Sequence, residues 1–388
     1  VSATPGITGR TQREVFDYIR FNAPVTKNEI VQELDLSLPT VQKYLNHFIN
    51  EGWIVKGDTL PSRGGRSPRT FLMNQNGRIA VGVDITRDGV ASVIVNLERK
   101  VVYKSTIEAY YERSEPYLAM VGRHVEETVT RSGVDRSRIL GVGFGMPGLV
   151  SRQTETVTYG GVIDNLGLSH EDFERHISFP AHLVHDVDAA ALSEFWPQGA
   201  FENAVYMNIS RTLGGSVLIN GSLYWGDGSY AGEIGHISLH AGGLKCYCGN
   251  YGCMDPYCST KVLARHTGGS LTAFFDALAA NETTIRRVWS GYLADLSRAI
   301  LNVRMLFGCT VIIGGELGTH VGPYLDEIRL AVDKLSFYNP NAHEYLFTST
   351  YTNEPVATGA ALYFIDEFFS SLGSAGSRRW PTTHTTRT

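Results

Sequence analysis

Three cysteines and one histidine crowd a short glycine-rich stretch: Ala231-Gly-Glu-Ile-Gly-His236, then Cys246-Tyr-Cys248-Gly-Asn-Tyr-Gly-Cys253. Side chains of this kind sharing one task would pin two loops to a single point. A soft divalent metal such as zinc takes four nitrogen and sulfur ligands in a tetrahedron, and His236, Cys246, Cys248 and Cys253 make up such a set. Gly249 and Gly252 let the loop fold back so that the sulfurs converge. With every position filled by protein the ion would be structural, bracing the loop that carries Glu233 and His236. The spacing is not that of a common zinc finger, and the residues alone leave a disulfide or inert buried thiols as alternatives. Nothing in the chain reads as secreted, which disfavours the disulfide.

The 388 residues suffice for two or three domains and an ample core. The N-terminus is not a signal peptide and no run of eighteen apolar residues exists, so the expectation is a cytoplasmic protein with no membrane segment. A net charge of −5 argues against a protein that coats nucleic acid over its whole surface. The charge is uneven, however. Residues 1–75 carry nine Lys/Arg against seven Asp/Glu, so a mildly basic module precedes an acidic body. A sequence-specific DNA reader with a separate sensing domain has that distribution.

The start of the chain supports this. Arg13 to Phe21 has Val15, Phe16 and Ile19 at helical spacing, and Pro24 ends that element. Thr26-Lys-Asn-Glu29 is a capping box for a short helix reaching Leu34. After a turn at Asp35-Leu-Ser37, Ser37 caps a helix that tolerates Pro39 in its first turn. That helix puts Leu38, Val41, Tyr44, Leu45, Phe48 and Ile49 on one stripe and leaves Thr40, Gln42, Lys43 and His47 off it. Helix, turn, helix of this size is the helix-turn-helix, whose second member enters the major groove. Trp53-Ile-Val55 and Thr70 to Met73 read as a two-stranded wing, whose loop carries Arg63, Arg66 and Arg69 and suits a narrow minor groove. The DNA-contact candidates are therefore Thr40, Gln42, Lys43, His47, Arg63, Arg66 and Arg69. A three-helix protein-contact module is the bland alternative.

From Ile79 the pattern becomes α/β. Strands are expected at Ile79 to Asp84, Val90 to Val95, Ile139 to Phe144, Ala204 to Ile209 and Thr310 to Gly314, with helices at Tyr117 to Thr130 and Thr283 to Phe307. The opening strand–hairpin–helix–strand plan appears twice, which suggests two related lobes with a ligand cleft between them. Residues 370–388, rich in Ser, Thr, Gly and Arg with a single Trp380, read as a disordered tail. Cys258 and Cys309 read as plain core residues.

The Cys/His stretch resembles the signature of the ROK family (repressor, open reading frame, kinase): GEIGH, then C-x-C-G-x-x-G-C, then an acidic residue, here Asp255 where Glu is usual. The resemblance implies a structural zinc ion. It also implies an actin-like, sugar-kinase fold of two lobes, 78–190 with 355–369 and 191–354, behind a winged helix-turn-helix at 1–75 like that of ROK repressors. The family base position, followed by Ala-x-Ala-Ala, falls on Asp186, with His185 where kinases carry Asn. Asn165 matches a sugar-contacting Asn-Leu pair, and Glu233 and His236 match the hydroxyl-binding pair. The sugar-site candidates are thus Asn165, His185, Asp186, Glu233, His236 and Asp255.

ROK kinases hold ATP phosphates on three glycine-rich turns. The first, Asp-x-Gly-Gly-Thr, is Asp84-Ile-Thr-Arg-Asp88 here, and the second, Gly-Thr-Gly-x-Gly-Gly, is Ser210-Arg-Thr-Leu-Gly214-Gly215. Only Gly314-Gly315 of the third survives. Side chains at glycine positions block the approach of backbone to phosphate. The resulting expectation is a sugar-responsive transcriptional repressor of carbohydrate genes, not an enzyme, acting as a homodimer or tetramer on a palindromic operator. The rivals are an active sugar kinase and a regulator controlled by a protein partner.

Overall fold

The computed structural model describes residues 9–60, 67–196, 201–337 and 341–372. The first unit contains α1 (Arg10–Asn22), β1 (Val25–Thr26), α2 (Lys27–Glu33), α3 (Leu38–Asn50), β2 (Ile54–Thr59) and β3 (Arg69–Met73). The Thr26–Glu29 capping box is formed, with the Glu29 carboxylate accepting from the Thr26 amide at 2.6 Å. Ser37 caps α3 through the Thr40 amide. On the α3 stripe Val41, Leu45 and Phe48 are buried, whereas Leu38 is exposed, because the first turn of the helix projects beyond the small core. The wing strand β2 runs on to Thr59, beyond the expected Val55, since pairing with β3 continues past a bulge to Thr59 opposite Arg69. β1 was not expected: two residues after Pro24 pair with Thr70 and Phe71 of β3 and close a three-stranded sheet.

The body has two lobes of one plan. In the first, β4 (Ile79–Ile85), β5 (Gly89–Asn96), β6 (Val101–Glu108), α4 (Glu115–Ser132), β7 (Ile139–Met146), the small pair β8 (Leu149–Val150) and β9 (Val157–Tyr159), α5 (His170–Glu174), β10 (Ala181–His185) and α6 (Asp186–Phe195) follow in order. In the second come β11 (Ala204–Ile209), β12 (Leu213–Ile219), β13 (Ser222–Tyr224), α7 (Asp255–Cys258), α8 (Lys261–Ala264), α9 (Leu271–Ala279) and α10 (Thr283–Phe307). They are followed by β14 (Thr310–Gly314), α11 (Gly315–Gly318), α12 (Leu325–Leu335), β15 (Leu346–Thr348) and α13 (Pro355–Ser371). Strand order is β10-β7-β4-β5-β6 in one sheet and β15-β14-β11-β12-β13 in the other. In each, the central strand pairs antiparallel with its hairpin partner and parallel with the next strand. The carboxyl ends of the parallel strands, where ligands gather in α/β sheets, carry Asp84, His185 and Asp186 in one lobe and Ser210 and Gly315 in the other.

The last helix, α13, returns to the first lobe and lies against β4, β7 and α6. The approach is backbone to backbone: a Cβ on Gly359 would stand 1.7 Å from the Ala189 carbonyl oxygen. Beyond the sheet, α13 completes the core of the winged helix. Phe16, Phe48 and Trp53 share one apolar cluster with Trp196, Phe368, Phe369 and Leu372. Trp53 meets Phe368 edge to face at 6.2 Å, and the Arg20 guanidinium lies 3.5 Å over Phe369. The chain returns from the second lobe beside the end of α6, where buried Glu194 accepts from the Ser349 hydroxyl at 2.6 Å and the Thr350 and Tyr351 amides at 3.0 and 2.9 Å.

Candidate functional site

The Cys/His residues converge. A ligand atom of each of His236, Cys246, Cys248 and Cys253 lies within 4.8 Å of all the others, and no other such cluster occurs among the described residues. Cys248 Sγ is 3.8 Å from Cys253 Sγ, and Cys246 Sγ is 3.5 Å from His236 Nδ1. Tetrahedral zinc with Zn–S ~2.3 Å and Zn–N ~2.05 Å requires about 3.8 Å between sulfurs and about 3.6 Å between sulfur and nitrogen. All five cysteines are free thiols. The donor set and its spacing therefore fit a tetrahedral metal ion. Tyr247, held between two of the cysteines, places its hydroxyl 3.2 Å from His236 Nε2, and Glu233 Oε2 is 3.7 Å from the same nitrogen. The imidazole thus turns Nδ1 to the sulfurs and Nε2 to polar partners, the arrangement that orients a metal-bound histidine.

The other sugar-site candidates fall into two groups. On the first lobe, His185 Nε2 is 3.2 Å from Asp186 Oδ1, which also accepts from the Val187 amide at 2.8 Å. Asp84 stands nearby. Burial first, and then the charges of Asp186 and Glu354, push its carboxyl up to about 8. Asn165 is wholly buried, with its amide nitrogen donating to the Pro147 carbonyl at 2.8 Å and its Oδ1 left without a partner. On the second lobe, Glu233 and His236 form one pair, and Asp255 accepts from the Leu213 amide at 2.7 Å, burial raising its carboxyl. Among the described residues no hydrogen bond or ion pair joins Asp186 to Glu233 directly. The lobes instead touch at the rim. Arg152 of the first lies 4.1 Å over the Trp225 ring of the second, its amide facing Ser229 Oγ at 3.5 Å. Asp188, one turn into α6, bonds Ser216 at 2.6 Å and also the Trp225 side chain.

A family model described as the ROK family matches residues 80–367. The chain belongs to the ROK family. A model for a winged helix-turn-helix DNA-binding domain matches residues 10–55. Among relatives, a putative xylose repressor of Caldicellulosiruptor sp. is 22% identical over 373 residues, covering 89% of this chain and 93% of its own. The xylose repressor of Bacillus subtilis is 26% identical over 66% of this chain and 67% of its own. The dual regulator NagC of Escherichia coli is 26% identical over 64% and 62%. Among solved structures, a ROK family transcriptional regulator, homologue of E. coli MLC protein, superposes with a TM-score of 0.72 at 21% identity, covering 93% of this chain and 96% of that one. A ROK family glucokinase from Streptomyces griseus in complex with glucose and AMPPNP superposes at 0.64 and 21%, covering 74% of this chain and 98% of that one. At these identities the superpositions show a shared fold.

For a ROK protein the three glycine-turn positions are informative. At the first, the turn closes on itself: the Thr86 amide donates to the Gly89 carbonyl and the Gly89 amide to the Thr86 hydroxyl, at 3.0 and 3.1 Å. At the second, the Ser210 amide bonds the Thr212 carbonyl, and the Leu213 amide bonds Asp255. At the third, the Gly315 amide bonds the Tyr206 hydroxyl at 3.2 Å, and a Cβ on Gly314 would stand 2.1 Å from the Tyr206 ring. Packing under Tyr206 requires the first glycine of this pair, and Gly315, at φ +68°, lies against Asn208 Oδ1 and Ser210 Oγ.

The DNA-contact candidates are unequally free. The Thr40 hydroxyl is 2.8 Å from that of Ser37, and Gln42 is held by Lys27 Nζ at 3.0 Å and Asn46 at 2.8 Å. His47 packs edge-on against Trp53 at 5.5 Å, whereas Lys43 and Arg69 are exposed. Arg63 and Arg66 lie outside the described residues. Sequence reasoning missed Tyr247, Asp188 and Trp225. For Tyr247 its place between two cysteines was a usable signal. Trp225 had none, since its partners Asp188 and Arg152 lie 37 and 73 positions upstream.

Proposed function

We propose that this chain is a sugar-responsive transcriptional repressor of carbohydrate genes. The winged helix at 1–75 would bind a palindromic operator, and the two lobes, 78–190 with 355–369 and 191–354, would sense a sugar or sugar derivative in the cytoplasm. One observation carries the reading: the winged helix has no core wholly its own, because Phe368 and Phe369 of α13 complete it while the same helix lies against α6, which begins at Asp186. A ligand that favours one arrangement of the lobes would therefore bias the DNA-binding unit through a rigid element. The name xylose repressor, carried by two of the relatives, supports the sugar as effector.

Glu233, His236, Asp255, His185 and Asp186 are the groups proposed to hold the sugar hydroxyls, with the orphan Oδ1 of Asn165 as a further acceptor. The proposed metal is zinc, held by His236, Cys246, Cys248 and Cys253. It would supply no chemistry beyond fixing the loop, since all four positions are protein ligands. Side chains at glycine positions of the first two turns, Thr86, Arg87, Ser210 and Thr212, support a regulator without kinase activity. Assembly as a dimer or tetramer follows from two-fold operator symmetry.

The test is a gel shift with operator DNA. Glu233→Ala should keep operator affinity within about threefold and raise the sugar concentration needed for release at least tenfold, the loss of one or two charge-assisted hydrogen bonds. Normal release by sugar in this variant removes Glu233 from the sensor site. ADP formation from ATP and any hexose, at rates ordinary for kinases, overturns the non-enzyme reading.

A further inference from the structure

A cavity of about 390 Å³ opens on the second lobe beside the metal-ligand loop. Its lining includes Lys245, Tyr247, Asp255, Ser259, Lys261 and Arg265. Ser259 and Asp255 are buried, and the three cations stand exposed around them. None of the three has an ion-pair partner among the described residues; Arg265 meets only the neighbouring His266 ring. Three cations against one carboxylate leave this cavity cationic within a body that is acidic overall.

Its position matters as much as its charge. Tyr247 and Asp255 belong to both places: both line the cavity, the Tyr247 hydroxyl bonds His236 Nε2 at 3.2 Å, and Asp255 is itself a sugar-site candidate. The cavity therefore adjoins the proposed hydroxyl-binding pair through Tyr247, and Asp255 is common to the cavity and the sugar-site candidates. A neutral sugar has no use for three unpaired cations next to its hydroxyl partners.

We propose that the cavity is an anion subsite of the effector pocket, and that the effector is a sugar bearing a phosphate or carboxylate group that reaches Lys245, Lys261 and Arg265. This rests on the carbohydrate reading of the cleft. Exposed cations each contribute little, so the subsite adds selectivity, of the order of tenfold from the three together, and its strength declines as salt screens it.

Titration calorimetry on the full chain tests this, with glucose, xylose and N-acetylglucosamine, the 1- and terminal phosphates of each, glucuronate, inorganic phosphate and AMP-PNP as probes. The expected result is that one anionic derivative binds about tenfold more tightly than its parent sugar. That ratio should shrink with added salt and approach one in Lys245→Ala/Lys261→Ala, exposed positions where loss of folding is checked by the melting temperature. Glucuronate and the phosphates separate carboxylate from phosphate as the anion. Equal affinity for parent and derivative, or a preference that persists in the double variant, overturns the subsite and leaves the sugar reading standing. Inorganic phosphate binding as tightly as any sugar phosphate overturns it as well, as does AMP-PNP binding that the double variant removes. If no carbohydrate binds at all, the sensor reading falls and the subsite with it.

Discussion

Asp84 shows how burial of one residue couples stability to pH. It sits at the carboxyl end of β4 beside Asp186 and Glu354, and burial with those neighbours raises its carboxyl to about 8, against about 3.9 in an unfolded chain. Between those values the folded protein holds a proton that the unfolded chain has released. Stability from this group is accordingly present below pH ~4, declines as pH rises, and levels off above pH ~8. Asp84→Asn removes the titration. Its melting temperature should match the parent's near pH 4 and exceed it by about 5 °C at pH 8.5. A difference that is the same at both pH values would show that the carboxyl is ionised in the folded state.

At the scale of elements, two contacts decide the architecture. α13 reaches β4, β7 and α6 only because small residues line its path. Gly359→Ala should cost at least the ~1–3 kcal/mol typical of overpacking, since the obstacle is the Ala189 carbonyl and not a movable side chain; urea denaturation measures it. The second is the loop from Glu233 to Cys253, which has almost no regular structure and which the proposed metal would hold through His236, Cys246, Cys248 and Cys253. Cys248→Ser should reduce bound metal from about one equivalent per chain to a small fraction, by elemental analysis, and lower the melting temperature by roughly 5–10 °C. Sugar-dependent release should be lost while the winged helix keeps its operator. An unchanged metal content would exclude Cys248 as a ligand.

For the whole molecule, the proposed function requires that a sugar between the two lobes be felt at the DNA. α13 is the continuous path: its first half backs the sheet that ends in Asp84 and His185, and its last turns enter the core around Trp53. Phe368→Ala removes the ring that Trp53 meets edge to face. The expected cost is about 3 kcal/mol, with thermal unfolding splitting into a winged-helix and a body transition. Operator affinity without effector should stay within about threefold, and the effector should no longer release DNA. Normal release from this variant would show that coupling runs by another route.

Much of this was legible in the chain because it is encoded locally. The Thr26–Glu29 and Ser37 caps, the α10 stretch from Thr283 to Phe307, the doubled strand plan and the Cys/His spacing each depend on residues a few positions apart, where periodicity and hydrogen-bonding chemistry suffice. Folding alone decided the rest. Nothing near Trp53 in sequence announces Phe368, more than 300 positions later, and nothing in Gly314-Gly315 says that the Tyr206 ring is what Gly314 accommodates. The raised carboxyl of Asp84 likewise arises from long-range juxtaposition with Asp186 and Glu354. Patterns in a chain report which face of an element is apolar; which distant face meets it, and which charges are thereby brought together, is settled only when the elements pack.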